Sequence, residues 1–162
     1  GIETFGFIFR EKEPFWNVRK EAIGTYGLTL TEIGSLKRGE NVFRDGKAIP
    51  FDEVAYKPFV PRSYAYCSDT AVFPEEYQWL EGIDTLYHEA TYLNEYEDKA
   101  LSRHHTTTRQ VATLAAECGV KKLIIGHYSS RSRDINSYES ECRVIFPETY
   151  AASDGDVFEI GK

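Results

Sequence analysis

The chain has no methionine and no apolar run approaching the roughly 20 residues that a membrane-spanning helix needs. Its N-terminus shows no basic-then-apolar signal pattern. Cysteine is scarce: Cys67, Cys118 and Cys142 form an odd, widely spaced set that matches neither a disulfide framework nor a zinc knuckle. These absences predict a cytoplasmic protein with no membrane partner. Positive charge is also short, and a formal net charge of −7 argues against simple coating of nucleic acid, where phosphate binding rests on Lys and Arg. The same acidity suits an enzyme that holds divalent metals, which need carboxylate ligands. With 41% hydrophobic and 28% charged residues, the composition excludes a disordered chain. Gly1 leads directly into the strand-like run at residues 4–9, and with the missing methionine this predicts a fragment, because natural domains rarely start mid-strand.

What is present divides into two kinds of segment. Residues 10–44 carry seven Lys/Arg against five Glu, a slight positive balance in an acidic chain, with Phe15, Trp16 and Tyr26 interleaved. Asn17 reads as the cap of a short helix to about Ile23, which Gly24 and Gly27 end. Thr29 or Thr31 caps a second helix to Lys37. Residues 42–49 read as a hairpin turning at Asp45-Gly46. With few large aliphatics this segment makes a poor core, and it reads as an appendage. Beyond Pro58 and Pro61, strands and helices alternate. Strands are expected at 63–67, 85–88 and 122–126, helices at 75–80, 107–118 and 138–146, and one or two closing strands within 150–160. This alternation predicts an α/β fold with a layered sheet.

Three of these β segments end in residues able to bind metal or move protons: Asp69, His88 with Glu89, and His127. In open α/β sheets, sites gather past the carboxyl ends of strands, so all four are expected on one rim. His105 precedes a helix opened by Thr106 or Thr107, where unsatisfied backbone N–H groups favour anions such as phosphate. Taken singly, an Asp after a strand is usually a turn or cap residue, and a lone His is usually a satisfied surface or core group. Taken together they carry more, because three of only four histidines fall at strand ends or a helix start. Composition and spacing thus support a metal or phosphate site.

The residues also resemble a known family, ribonuclease Z, the tRNA 3′-processing endonuclease within the metallo-β-lactamase superfamily. Cys67-Ser68-Asp69-Thr70 is similar to its strand-end Ser-x-Asp-Thr, and His88-Glu89-Ala90-Thr91 to its His-Glu-Ala-Thr motif. His105-Thr106-Thr107 with Gln110 resembles its His-Ser-Thr helix entry, and His127-Tyr128-Ser129-Ser130-Arg131 its His-x-Ser-x-Arg segment. Leu36-Lys37-Arg38-Gly39-Glu40-Asn41-Val42 is similar to the stretch that closes the family's projecting arm.

The resemblance implies half of an αββα sandwich, the C-terminal half of a metallo-β-lactamase-like domain at residues 1–9 and 58–162, with an inserted α/β tRNA-binding arm at 10–57. It implies two zinc ions per subunit, with Asp69 bridging them and His127 ligating one, and Glu89 with His105 as a relay that protonates the departing 3′ oxygen. Arg131, Ser129, Lys37 and Arg38 are the implied RNA contacts, and His88 and Thr106 the supporting residues. The implied partners are precursor tRNA, a second subunit in a homodimer, and the N-terminal half of the same protein. The superfamily's His-x-His-x-Asp-His motif does not occur here, nor does the histidine that precedes a stretch like residues 1–6, so the chain alone is expected to be inactive. The arm also lacks the Pro-Gly-Pro-like stretch of many relatives. Two other readings remain from the residues: a same-fold hydrolase of a small phosphodiester or sulfate ester, and a non-catalytic scaffold domain.

Overall fold

The computed structural model of the chain describes residues 3–132 and 134–161; the expectation placed on Gly1 lies outside them. Two compact units are present. One comprises the described residues up to Arg10 and from Arg62 onward, and the other is Glu11–Pro61. Among the described residues no helix is long and apolar enough to cross a membrane.

The first unit is built on a five-stranded sheet. In chain order its strands are β1 (Phe7–Arg10), β6 (Ser63–Cys67), β7 (Thr85–Glu89), β8 (Lys122–Gly126) and β9 (Thr149–Ala151), and they lie side by side in that order. β1 pairs antiparallel with β6, and the remaining pairings are parallel. β1 is shorter at its start than the strand-like run suggested. Its register sets Phe7 against Tyr66 next to the end of β6, so residues before Phe7 have almost no partner to pair with. The parallel strands are linked by α4 (Pro74–Leu80), by α5 (Glu97–Arg103) with α6 (Thr108–Glu117), and by α7 (Ile135–Arg143). Leu80, Val111, Leu114 and Tyr138 from these helices pack on Ala65, Leu86, Leu123 and Ile125 of the strands, so one sheet face holds the core. The other face is aromatic: Tyr66 stacks on Tyr87 at 4.9 Å, and Phe9 on Tyr64 at 6.1 Å.

Thr107, one of the two residues expected to open this helix, is the N-cap of α6, and it forms a capping box with Gln110 in both directions. The segment from a 3-10 turn at Asn94–Tyr96 through α5 was not legible. Its cap, Tyr96, makes no side-chain capping bond, and Ala100 is the one residue α5 buries, so neither cap nor periodicity marks it. α7 starts earlier than expected because Asp134 caps it by accepting from Asn136 N–H at 3.0 Å. Of the expected closing strands only β9 forms.

The second unit contains β2 (Asn17–Val18), α1 (Lys20–Tyr26), α2 (Leu30–Lys37), β3 (Val42–Arg44), β4 (Lys47–Ile49), α3 (Phe51–Val54) and β5 (Ala55–Tyr56). Asn17 does not cap α1; it pairs with Tyr56 in a two-stranded ladder, and Arg19 precedes the helix without a side-chain cap bond. Thr29 caps α2 in a box with Glu32. The hairpin β3–β4 turns at Asp45 and Gly46, both at positive φ, as the Asp-Gly pair predicts. Ala22, Leu28, Leu36, Val42, Ile49 and Val54 form a small core of the unit's own, where the sequence predicts a poor one.

Candidate active site

Four of the residues singled out converge past the ends of β6, β7 and β8. Glu89, the last residue of β7, is fully buried, and each of its oxygens is held twice. Oε1 accepts from Thr70 N–H at 3.1 Å and from His105 Nδ1–H at 2.6 Å. Oε2 accepts from Thr91 N–H at 2.9 Å and from the Thr91 hydroxyl at 2.6 Å. A buried carboxylate is tolerated only when its lone pairs are taken up in this way. His105 is delivered by the turn after α5, where His104 adopts a left-handed φ of 58°. Because its Nδ1 donates to Glu89, Nε2 is the nitrogen left to give up a proton.

His127 follows β8 and also has a positive φ, 58°, a strained conformation for a residue other than glycine. Gly126 before it lies flush against the Tyr87 ring, where any Cβ would collide. The pair turns the chain sharply and sends the imidazole back over the strand ends. There Nδ1 lies 2.8 Å from the Thr91 hydroxyl, whose own hydrogen goes to Glu89. Nδ1 must then be the donor, and Nε2 carries the lone pair. Nε2 points at Asp69 Oδ2, 3.2 Å away, and both side chains are a little under half exposed. Two acceptors facing one another at this distance call for a cation or a proton between them.

Other expected residues fall elsewhere. His88 is fully buried on the helix-covered face, with Nδ1 donating to the carbonyl of Glu89 at 2.7 Å and Nε2 3.1 Å from Glu76 on α4. Consecutive strand residues face opposite sides, so His88 leaves the rim that Glu89 joins. Burial pushes the His88 pKa down, but the bonded Glu76 carboxylate together with the carbonyl and charge of Glu89 pushes it up by more. Burial likewise drives the nearby Cys67 thiol up. Thr106 is buried and donates to the carbonyl of Thr70 at 2.6 Å, tying the loop after β6 to the entry of α6. Ser129 and Arg131 line a cavity of about 710 Å³ with Tyr92, Tyr96, Lys99 and Arg103, and the Tyr92 ring lies 6.1 Å from that of His105. Lys37 and Arg38 belong to the second unit. Lys37 borders a hollow with Arg19 and Lys20, while Arg38 is paired with Glu40 at 2.9 Å. Thr70 and Thr91 hold Glu89, a role their spacing does not announce; the signal for Thr91 is its place closing the His-Glu-Ala-Thr run.

No protein-family model matches the chain. It is 39% identical over 98% of its length to a ribonuclease Z of Cytophaga hutchinsonii, covering 51% of that protein, and 36% identical over 93% of its length to a ribonuclease Z of Phocaeicola vulgatus, covering 49%. Over nearly its whole length, the chain is similar to half of a ribonuclease Z. It spans about half the length of these curated relatives. Among solved structures, a long-form ribonuclease Z from yeast matches 58% of the chain and 13% of its own length with a TM-score of 0.51 and 25% identity. The metallo-beta-lactamase fold protein YhfI from Bacillus subtilis matches 60% of the chain and 40% of its own length, with a TM-score of 0.56 and 20% identity. The fold is accordingly part of a metallo-β-lactamase fold.

Such relatives imply a metal, and the donor set of this ribonuclease Z-like chain fits one in part. A neutral imidazole with its lone pair fixed toward a carboxylate is what a shared cation needs. Glu89, His105 and His127 also offer ligand-type atoms within 4.8 Å of one another. Glu89 and the two Nδ1 atoms are, however, spent on each other and on Thr91, so Asp69 and His127 are the better pair. Two protein ligands fall short of the three or four that hold zinc tightly.

Proposed function

We propose that this chain supplies half of the catalytic centre of a zinc-dependent endoribonuclease that cuts the 3′ trailer from precursor tRNA. The other half of the relatives' length would supply the remaining metal ligands. The observation that carries the reading is the chain of bonds through Thr91, which aims one imidazole at Asp69 as a ligand and keeps a second, His105, on a buried carboxylate as an acid. Asp69 and His127 would hold zinc, which when bound polarises the phosphodiester and lowers the pKa of a coordinated water. His105, oriented by Glu89, donates the Nε2 proton to the departing 3′ oxygen, and Glu89 stabilises the ring while it is charged. Arg131 and Ser129, in the basic and aromatic cavity beside His105, bind the phosphate and base flanking the cut.

In this reading residues 10–57 are the arm that grips the tRNA body, and Lys37 with the neighbouring Arg19 and Lys20 supplies phosphate contacts. Arg38, already engaged by Glu40, contributes less. The assembly expected is a cytoplasmic homodimer in which one subunit's arm presents tRNA to its partner's centre.

The test measures zinc content and single-turnover cleavage of precursor tRNA in the complete protein. Asp69→Ala is expected to lose zinc and activity together, and His105→Ala to keep zinc while slowing cleavage by about 10²–10⁴-fold, the usual range for loss of a general acid. Equal zinc loss in both variants would contradict the division of roles.

A further inference from the structure

The helix-covered face of the sheet carries a second cluster of ligand-type side chains that the proposed reaction does not use. Cys67, ending β6, and His88, in β7, are register partners, so both side chains leave the sheet on the same face. α4 lays Glu76 against them. The Cys67 sulfur, a Glu76 carboxylate oxygen and a His88 ring nitrogen all lie within 4.8 Å of one another. Glu76 and His88 are buried, and Cys67 is partly so.

Two details point to an occupant. The Glu76 side chain is only 2% exposed, yet its Oε2 has no hydrogen-bond partner among the described residues. Buried polar atoms are nearly always satisfied, so an orphaned carboxylate oxygen beside a thiol and an imidazole needs explaining. His88 supplies the second detail. Its Nδ1 faces the carbonyl of Glu89, which can only accept, so Nδ1 carries a hydrogen and Nε2 is the nitrogen turned to Glu76, 3.1 Å from Oε1. The carbonyl holds the ring so that Nε2, once it gives up any proton, is the atom offered to a metal, as in many metal centres.

We propose that Cys67, Glu76 and His88 bind one divalent transition-metal ion of the zinc type, at a site separate from Asp69 and His127. One sulfur, one nitrogen and one oxygen donor suit zinc and its cobalt surrogate, and do not suit magnesium or calcium, which take oxygen ligands. Binding releases to solvent the Cys67 thiol proton and the proton that His88 Nε2 shares with Glu76. The resulting thiolate and the Glu76 carboxylate neutralise the ion, as a buried position demands. Cys67 and Glu76 also line a cavity of about 270 Å³, which provides an entry path and room for water as the fourth ligand. The bound ion ties β6, β7 and α4 together, and through His88 it steadies the carbonyl of Glu89.

The test uses the 162-residue chain carrying Asp69→Ala and His127→Ala, with Co²⁺ alone as the probe. One cobalt per chain and a thiolate-to-cobalt charge-transfer absorption are expected, because that absorption requires a cysteine ligand. Adding Cys67→Ser should abolish the band, and adding Glu76→Gln should weaken cobalt affinity by more than about tenfold. No band in the double variant overturns the proposal, as does a band that survives Cys67→Ser and so comes from Cys118 or Cys142. If circular dichroism shows that Cys67→Ser does not fold, Glu76→Gln decides, and unchanged cobalt affinity sinks the site. The readout involves no RNA, so its failure would leave the tRNA-processing reading untouched.

Discussion

Thr91 governs the candidate site with a single hydroxyl. It gives its hydrogen to Glu89 and takes one from His127, so the orientation of a carboxylate and of an imidazole depends on one oxygen. Thr91→Val keeps the shape and removes both bonds. It is expected to weaken zinc binding in the complete protein by about 10–100-fold, as loss of an outer partner of a metal-bound histidine does. Thr91→Ser should restore it, and competition with a chelator measures both. A failure of serine to rescue would mean that packing of the methyl group, not the hydrogen bond, matters. Gly126 is a second single-atom determinant. Gly126→Ala forces a Cβ into the Tyr87 ring and should cost about 1–3 kcal/mol by denaturant titration, typical of overpacking. His127 itself was visible in the sequence as a histidine after a strand. Its tautomer was not, because that depends on a threonine 36 residues away along the chain.

At the scale of elements, capping chemistry was the most readable signal. Thr107 with Gln110 and Thr29 with Glu32 both form the reciprocal boxes that their spacing announces. Asn17 shows the limit, since its competence as a cap lost to pairing with Tyr56, a partner far along the chain. The box at α2 carries a pH dependence. Glu32 bonds the Arg44 guanidinium and the Thr29 N–H, and in that order these hold its carboxyl down to about 2 from an ordinary 4.5. A carboxyl lowered in the folded state stabilises above its unfolded pKa and loses that contribution as pH falls through its folded one. Amide protection factors in α2, corrected for the intrinsic pH dependence of exchange, should therefore fall as pH drops from about 4.5 to 2, and Glu32→Gln should flatten that dependence. A profile unchanged by the substitution would show that Glu32 does not couple the hairpin to the helix.

For the molecule as a whole, two features call for a larger protein. The sheet has a helix-covered face and an aromatic one on which Phe7 and Phe9 remain more than half exposed, and an αββα sandwich would close that face with a second sheet. The rim offers two candidate metal ligands, where a zinc site would need three or four. The 162-residue chain alone is thus expected to leave precursor tRNA uncut. Under the proposed function, deleting residues 11–61 from the complete protein should abolish precursor cleavage yet spare a small phosphodiester, since Asp69 and His127 both belong to the other unit. If both activities fell together, the arm would be structural. The same comparison separates a tRNA enzyme from a small-ester hydrolase.

Residue order alone determined the alternation of strands and helices, the strand-end positions of Asp69, Glu89 and His127, and the helix entry beside His105, because hydrophobic periodicity and capping are local properties of the chain. Only the tertiary structure decided that His88 turns away to Glu76, that Thr91 links two imidazoles, and that residues 10–57 enclose a core of their own. Those outcomes rest on strand register and on contacts between distant segments, which set the face a side chain occupies and the atom it meets.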